Sequence, residues 1–365
     1  MNARAWLKPS IYWLLAFFPI AIALEHAQAA APMVFLAAAL AIIPAASLIV
    51  HSTEGVAEHT GDAVGGLLNA TFGNLPELII ALVALKAGLF EMVRAALIGA
   101  VLANLLLFLG VAFLLGGLRH HQQNYNAGAT RIYSTMMLLA VISLSVPSAF
   151  SRLFASGETV RHEQLLNLGT AFVLLGAYAL YLFFMLRTHP ELFASSKPDE
   201  AHGAQGERPS LALAIGGLVG ASLLAAWTSE ILVGAAQATG EALGMSEVFI
   251  GIVVLASLGG AAEGGSAIAM ARKNRVDLSM GIALGSSIQI ALFVAPVLVL
   301  ASYFVAPQPL SLAFSRPELG ALLFAVLIGA IAAGDGHANW FKGVQLVTVY
   351  AMMALMFYFM PALPG

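Results

Sequence analysis

The 365-residue chain contains no cysteine and few charges: Asp, Glu, Lys and Arg together make up 10% of it. The missing cysteine excludes disulfides, thiolate metal sites and thiol catalysis. Soft metals thereby lose their preferred ligand, so a bound cation is expected to be hard and held by oxygen. A soluble domain carries about 25% charged residues, whereas here hydrophobic residues reach 60% and mean hydropathy is +0.89. The chain therefore reads as an all-α polytopic membrane protein, with the lipid bilayer as its surroundings. A net charge of −3 argues against a nucleic-acid partner. Also missing are His-Glu-x-x-His and Gly-x-Ser-x-Gly, which leaves an intramembrane enzyme without a zinc or nucleophile motif.

What is present are apolar runs of roughly 20 residues, enough to span a bilayer. They fall near 11–27, 32–51, 62–86, 92–117, 131–150, 164–186, 211–235, 246–271, 278–304, 317–333 and 341–361, which predicts eleven transmembrane helices. The first run, with Arg4, Lys8 and Ala27-Gln28-Ala29, also fits a cleavable signal peptide. The bundle character of the whole chain favours a retained helix. The one long polar stretch, 190–209, carries Lys197, Asp199, Glu200, Glu207 and Arg208 and reads as a linker. The chain thus divides into an N-terminal helix (1–30), five helices (31–187), a cytoplasmic linker (188–210) and five more (211–365). With the N-terminus in the cytoplasm, eleven Lys and Arg fall in inner segments and five in outer ones. That bias places the N-terminus inside and the C-terminus outside. Five is odd, so the second set enters the membrane from the opposite face, as an inverted repeat.

Two acids stand where a membrane disfavours them. Glu77 is the only charged residue in 63–85, and Glu263 the only one in 248–271. A carboxylate at bilayer depth costs several kcal/mol and persists chiefly where it has a role and a partner. Gly73 and Pro76 precede Glu77, and Gly259 and Gly260 precede Glu263. The offset from Gly73 to Gly259 equals that from Glu77 to Glu263, about half the chain. Such residues weaken the helical hydrogen-bond ladder and free carbonyl oxygens, tolerated at depth only beside a cavity or inside protein. Asn74, Asn104, Ser286, Ser287 and Gln289 would add side-chain oxygens to an all-oxygen cation site with Glu77 and Glu263 as metal ligands. Calcium takes about 6–8 oxygens in flexible geometry, whereas magnesium holds its waters and demands an octahedron. Calcium fits better. Glu54 and Glu230 lie at opposite membrane faces on this topology and would form acidic vestibules.

These segments resemble a known family. Gly65-Gly66-Leu67-Leu68-Asn69-Ala70-Thr71-Phe72-Gly73-Asn74, Glu77-Leu78-Ile79 and Ala84-Leu85-Lys86-Ala87-Gly88 are similar to the first signature of the calcium/proton exchanger (CAX) family. Ser246-Glu247-Val248-Phe249-Ile250-Gly251, the 259–263 segment, Lys273-Asn274, Asp277 and Gly285-Ser286-Ser287-Ile288-Gln289 resemble its second. The resemblance implies an antiporter of the cation/calcium superfamily in which Glu77 and Glu263 bind calcium and protons in turn. It implies no cofactor, with calcium as cargo, and residence in a bacterial inner membrane. Sodium as counter-ion, or manganese as cargo, would suit the same architecture, since these ions also take oxygen ligands. The chain departs from the pattern at Gly260 and Gly264, where the family usually has asparagine and histidine, and at Ala100 and Ala103, where it often has serines.

Overall fold

The computed structural model describes residues 10–60, 62–154, 160–193 and 210–360. Arg4, Lys8 and the charged residues of the linker lie outside them. In chain order the helices are α1 (Ile11–His26), α2 (Ala31–Ala57), α3 (Asp62–Phe72), α4 (Leu75–Lys86), α5 (Phe90–His120) and α6 (Ala127–Phe154). They continue as α7 (Arg161–Thr188), α8 (Leu211–Leu243), α9 (Glu247–Gly259), α10 (Ala261–Arg272), α11 (Val276–Val305), α12 (Arg316–Ala333) and α13 (Trp340–Phe359).

Among the described residues, α2, α5, α6, α7, α8, α11, α12 and α13 are long and apolar enough to cross a membrane. The α9–α10 pair makes a further crossing bent by 58°. Every expected run falls on helix, but two are not single full-length spans. Run 11–27 is the shorter α1, and run 62–86 is split into α3 and α4 at Gly73-Asn74. Eight spans, or nine with the bent pair, thus stand where eleven were expected.

The helix ends follow local chemistry. Ser210 caps α8 by accepting from the Leu213 N–H at 3.3 Å, and Gly244 ends it at φ 67°, a conformation that favours glycine. At α12, Ser315 and Glu318 form a reciprocal capping box. Asn339 caps α13 through the Lys342 N–H at 3.0 Å. The wholly helical expectation is corrected by a small antiparallel ribbon. Strands β1 (Gln122–Asn124) and β2 (His337–Asn339) pair Gln123 with Ala338 and tie the end of α5 to the start of α13. The two short segments satisfy each other's backbone, which neither helix end supplies.

One connection runs without helix through the interior. In 306–315, Leu310, Leu312 and Phe314 are buried. Backbone groups there need partners within the protein. Ser302 Oγ accepts from the Leu310 N–H, Asn167 Oδ1 from Leu312 and Ser148 Oγ from Phe314, each at 2.8 Å. Side chains of α11, α7 and α6 therefore do what a strand partner would. Replacing Asn167 by Ala leaves a buried N–H unpaired, at a cost of about 1–3 kcal/mol. The thermal midpoint in detergent is expected to fall by a few degrees; an unchanged midpoint would show that the strap is held without this bond.

Candidate functional site

Both acids sit at the same point of a broken helix. α3 stops at Phe72, and α4 restarts with Leu75, Pro76 and Glu77; α9 stops at Gly259, and α10 restarts with Ala261, Ala262 and Glu263. Each carboxylate is third in its helix, where unpaired N–H groups and the positive end of the helix dipole favour negative charge. Proline fits the first turn of α4 because the N–H it lacks has no partner there.

The two breaks interlock. A Cβ added to Gly73 would lie 2.9 Å from Glu263 Oε1, and one added to Gly259 would lie 3.0 Å from Glu77 Cγ. Each glutamate thus packs on the glycine that opens the other break. These close approaches are where absence of a side chain is required, since any larger residue would displace a carboxylate.

The surrounding polar groups are unequally used. Ser286 Oγ donates to Glu263 Oε2, and Asn74 Nδ2 donates to Gln289 Oε1. Both oxygens of Glu77 and the Asn74 Oδ1 are buried acceptors without a hydrogen-bond partner. Asn104 Nδ2 is likewise buried and unpaired, and its Oδ1 would lie 3.5 Å from a Cβ on Gly260. Buried polar atoms are normally satisfied, so three free acceptors at one spot point to a cation. A cavity of about 20 Å³, room for a single water, lies against Glu77 between Ala81, Ala100 and Leu255. Among the described residues no group of three or more His, Asp or Glu is placed to hold a metal. The donors present therefore suit a hard cation held by carboxylate, amide and backbone oxygens.

Of the residues expected at the site, Asn74, Glu77, Asn104, Glu263, Ser286 and Gln289 converge with Gly73, Gly259 and Gly260. Ser287 is turned aside: it is buried and donates to the Ala283 carbonyl at 2.9 Å. One helical residue is about 100° of rotation, so Ser286 and Ser287 cannot both face the glutamates. Glu54 and Glu230 are exposed, with His51 Nδ1 at 3.9 Å from Glu54 and Lys86 Nζ at 3.6 Å from Glu230. One participant escaped sequence reading. The ring of Phe108 lies on Gly260 and Gly264, so that a Cβ on Gly264 would collide with it. The two glycines, four apart on one helix face, were the available sign that a large side chain packs there.

Equivalent positions of the two halves also differ in packing. The offset that carries Glu77 onto Glu263 carries Gly99 onto Gly285 and Gly65 onto Gly251. A Cβ on Gly99 would strike the Ile252 backbone, and one on Gly251 would lie 2.7 Å from Ala95 Cβ and Met92 O, so α5 and α9 meet backbone to backbone. Their counterparts have no such contact. No atom lies within 4 Å of a Cβ on Gly285, and the three atoms nearest to one on Gly65 all belong to Ala57 of α2. Val64 is 49% exposed where its counterpart Ile250 is 0%, and Asn69 is exposed where Leu255 is buried.

Comparison with known proteins adds the following. The family described as sodium/calcium exchanger protein matches residues 30–187 and 213–359. A Ca2+/H+ antiporter of Synechocystis is 41% identical over 365 residues, covering 96% of this chain and 97% of the relative. A Ca2+/H+ antiporter of Aphanothece halophytica is 38% identical over 369 residues, covering 98% of each. The solved structure of native YfkE is similar at a TM-score of 0.83 and 35% identity, over 96% of this chain and 100% of that one.

The packing of the breaks carries its own test. Gly73→Ala and Gly259→Ala are each expected to cost about 1–3 kcal/mol by overpacking. Gly265→Ala, with no atom within 4 Å of the added Cβ, is expected to gain up to about 1 kcal/mol of helix propensity. Thermal unfolding of the purified variants distinguishes them; equal midpoints for all three would refute the interlock.

Proposed function

We propose that this chain, which belongs to the sodium/calcium exchanger protein family, is a secondary antiporter exchanging Ca2+ for H+ across a bacterial inner membrane. The observation that carries the reading is the pair of interlocked breaks. They set Glu77 and Glu263 at one buried place with free acceptor oxygens between them. Two carboxylates balance the charge of one divalent ion, and binding it displaces the protons they otherwise carry. Competition of calcium and protons for the same oxygens is the condition for antiport, with two protons per calcium as the ratio that two acids suggest.

An inverted repeat supplies the second half of the mechanism. Its support is the family match in two stretches on either side of the linker, the equivalent placing of the two acids, and their reciprocal glycine seats. In this reading 31–187 and 211–365 are the repeats, α1 stands apart, the N-terminus is cytoplasmic and the C-terminus external. The α3–α4 pair and α9–α10 are then equivalent broken spans, which brings the number of crossings to eleven with α1. Glu54 and Glu230, exposed at opposite faces, draw cations toward the centre.

Alternating access then follows from unequal packing of equal positions. The Gly99–Gly251 contact seals the outer side, and the looser Gly65–Gly285 region leaves the inner side ready to open. Transport exchanges one seal for the other, a shear of packed helices rather than a rebuilding of the fold.

Two measurements test these statements. In everted vesicles of a strain lacking other calcium transporters, Glu77→Gln or Glu263→Gln should reduce uptake driven by a pH gradient to background. Full uptake in either variant would sink the two-glutamate site. Running the same assay with sodium or manganese varied separately reports the counter-ion and cargo. For the access change, Gly285→Ala fits the present packing but obstructs the inner seal. Calcium binding should persist while turnover falls by at least about tenfold, a barrier increase of about 1.4 kcal/mol; unchanged turnover would refute the seal exchange.

A further inference from the structure

We infer that Phe108 is the specificity-determining residue of this site. Its ring forms the apolar wall that makes an ion shed its water before reaching Glu263. The inference deepens the exchange reading and rests on it.

The two halves are built from unlike residues at equivalent positions. The offset from Glu77 to Glu263 carries Asn74 onto Gly260, Leu78 onto Gly264 and Phe108 onto Val294. Bulk has moved from the broken helix to the helix packed against it. Leucine has become glycine on one side of the contact, and valine has become phenylalanine on the other. Phe108 closes a π-helical turn, Ala103–Phe108, and its counterpart Val294 closes another, Ile290–Val294. The extra residue in such a turn re-aims the side chains that follow it. The result is a ring lying on Gly260 and Gly264 at once, with Glu263 in the same turn of α10.

That ring has chemical consequences. Gly260 offers no amide, so Asn104 Nδ2 is left unpaired where Asn74 finds Gln289 in the other half. Around Glu263, Ser286 holds Oε2 and Gly73 lies against Oε1. The remaining approach along the 260–264 face is covered by hydrocarbon. Phe108 is itself partly exposed, so it stands between the acid and accessible space. An aromatic face supplies no oxygen ligand and no bridging hydrogen bond for water. A cation that retains part of its hydration shell loses those waters here without replacement. Calcium dehydrates readily and accepts irregular coordination, whereas magnesium holds its waters tightly. The wall therefore discriminates against magnesium by dehydration, while Glu77 and Asn74 supply the free oxygens on the opposite side.

The experiment is a competition measurement on the purified full chain, reading magnesium displacement of bound calcium by titration calorimetry. Phe108→Val is expected to lower the calcium-to-magnesium affinity ratio by about tenfold, and Phe108→Leu by less. Phe108→Val combined with Gly264→Leu copies the Val294–Leu78 pair of the other half and refills the space. The ratio should recover in that double variant. A packing role alone would lower stability or yield in the single variants and leave the ratio constant. Equal ratios in wild type, Phe108→Leu and Phe108→Val overturn the proposal, as does a double variant no better than Phe108→Val. Wild-type uptake under a pH gradient is measured alongside. Its absence would refute the exchange reading, while the binding ratio still reports on Phe108.

Discussion

Everything in this fold is arranged around the difficulty of keeping two carboxylates where water does not reach. A buried charge needs compensation from fixed dipoles, hydrogen bonds or a counter-ion. The chain supplies the first two by breaking two helices and presenting each glutamate at a fresh N-terminus. It supplies proximity by seating each acid on the glycine of the opposite break. The arrangement is self-referential: neither seat exists without the other break. That is why the site needs both halves of the chain, and why neither half forms a binding centre alone.

The same constraint sets the local chemistry nearby. Freed backbone at the breaks is acceptable because it faces protein, not lipid. Long helices that supply Asn104 and Gln289 carry π-helical turns just at or after those residues. Those turns rotate everything beyond them relative to a regular helix. The strap at 306–315 solves the same difficulty differently, with Ser302, Asn167 and Ser148 accepting its N–H groups. Named partners thus meet the polarity of the strap, while Glu77, Asn74 and Asn104 keep unpaired atoms within the site. There the missing partner is the cargo on the proposed reading.

Much of this was legible in the sequence, for physical reasons. A lone acid in a long apolar run is conspicuous because its cost is large. Glycine and proline beside it mark a break because they weaken the ladder. The recurrence of glycine and acid at one constant offset identified matching segments without any contact information. What could not be read was rotation. Adjacent Ser286 and Ser287 look equivalent in sequence, yet only Ser286 meets Glu263 while Ser287 returns to Ala283. Phe108 looks like one apolar residue among Leu105, Leu106, Leu107 and Leu109, because a hydropathy pattern carries no signal for a π turn. The β1–β2 ribbon was hidden for another reason: two short segments pairing from distant parts of the chain leave no periodic trace.

The symmetry of the breaks and the asymmetry of the contacts around them are complementary requirements. An exchanger that alternates between faces needs two conformations of nearly equal free energy, since a gap of a few kcal/mol leaves one state rarely occupied. Equivalent glycines at both seals meet that requirement: losing the Gly99–Gly251 contact while gaining one at Gly65–Gly285 exchanges like for like. Ion discrimination has the opposite need. A site with identical halves offers the same ligands from both sides and can tune neither independently. Placing a ring against Glu263 and amide oxygens near Glu77 separates the tasks, so that one wall strips water while the other supplies ligands. Substitution at 108, 260 or 264 can then alter which ion is accepted while leaving the glycines of the seals, and hence the balance between faces, in place.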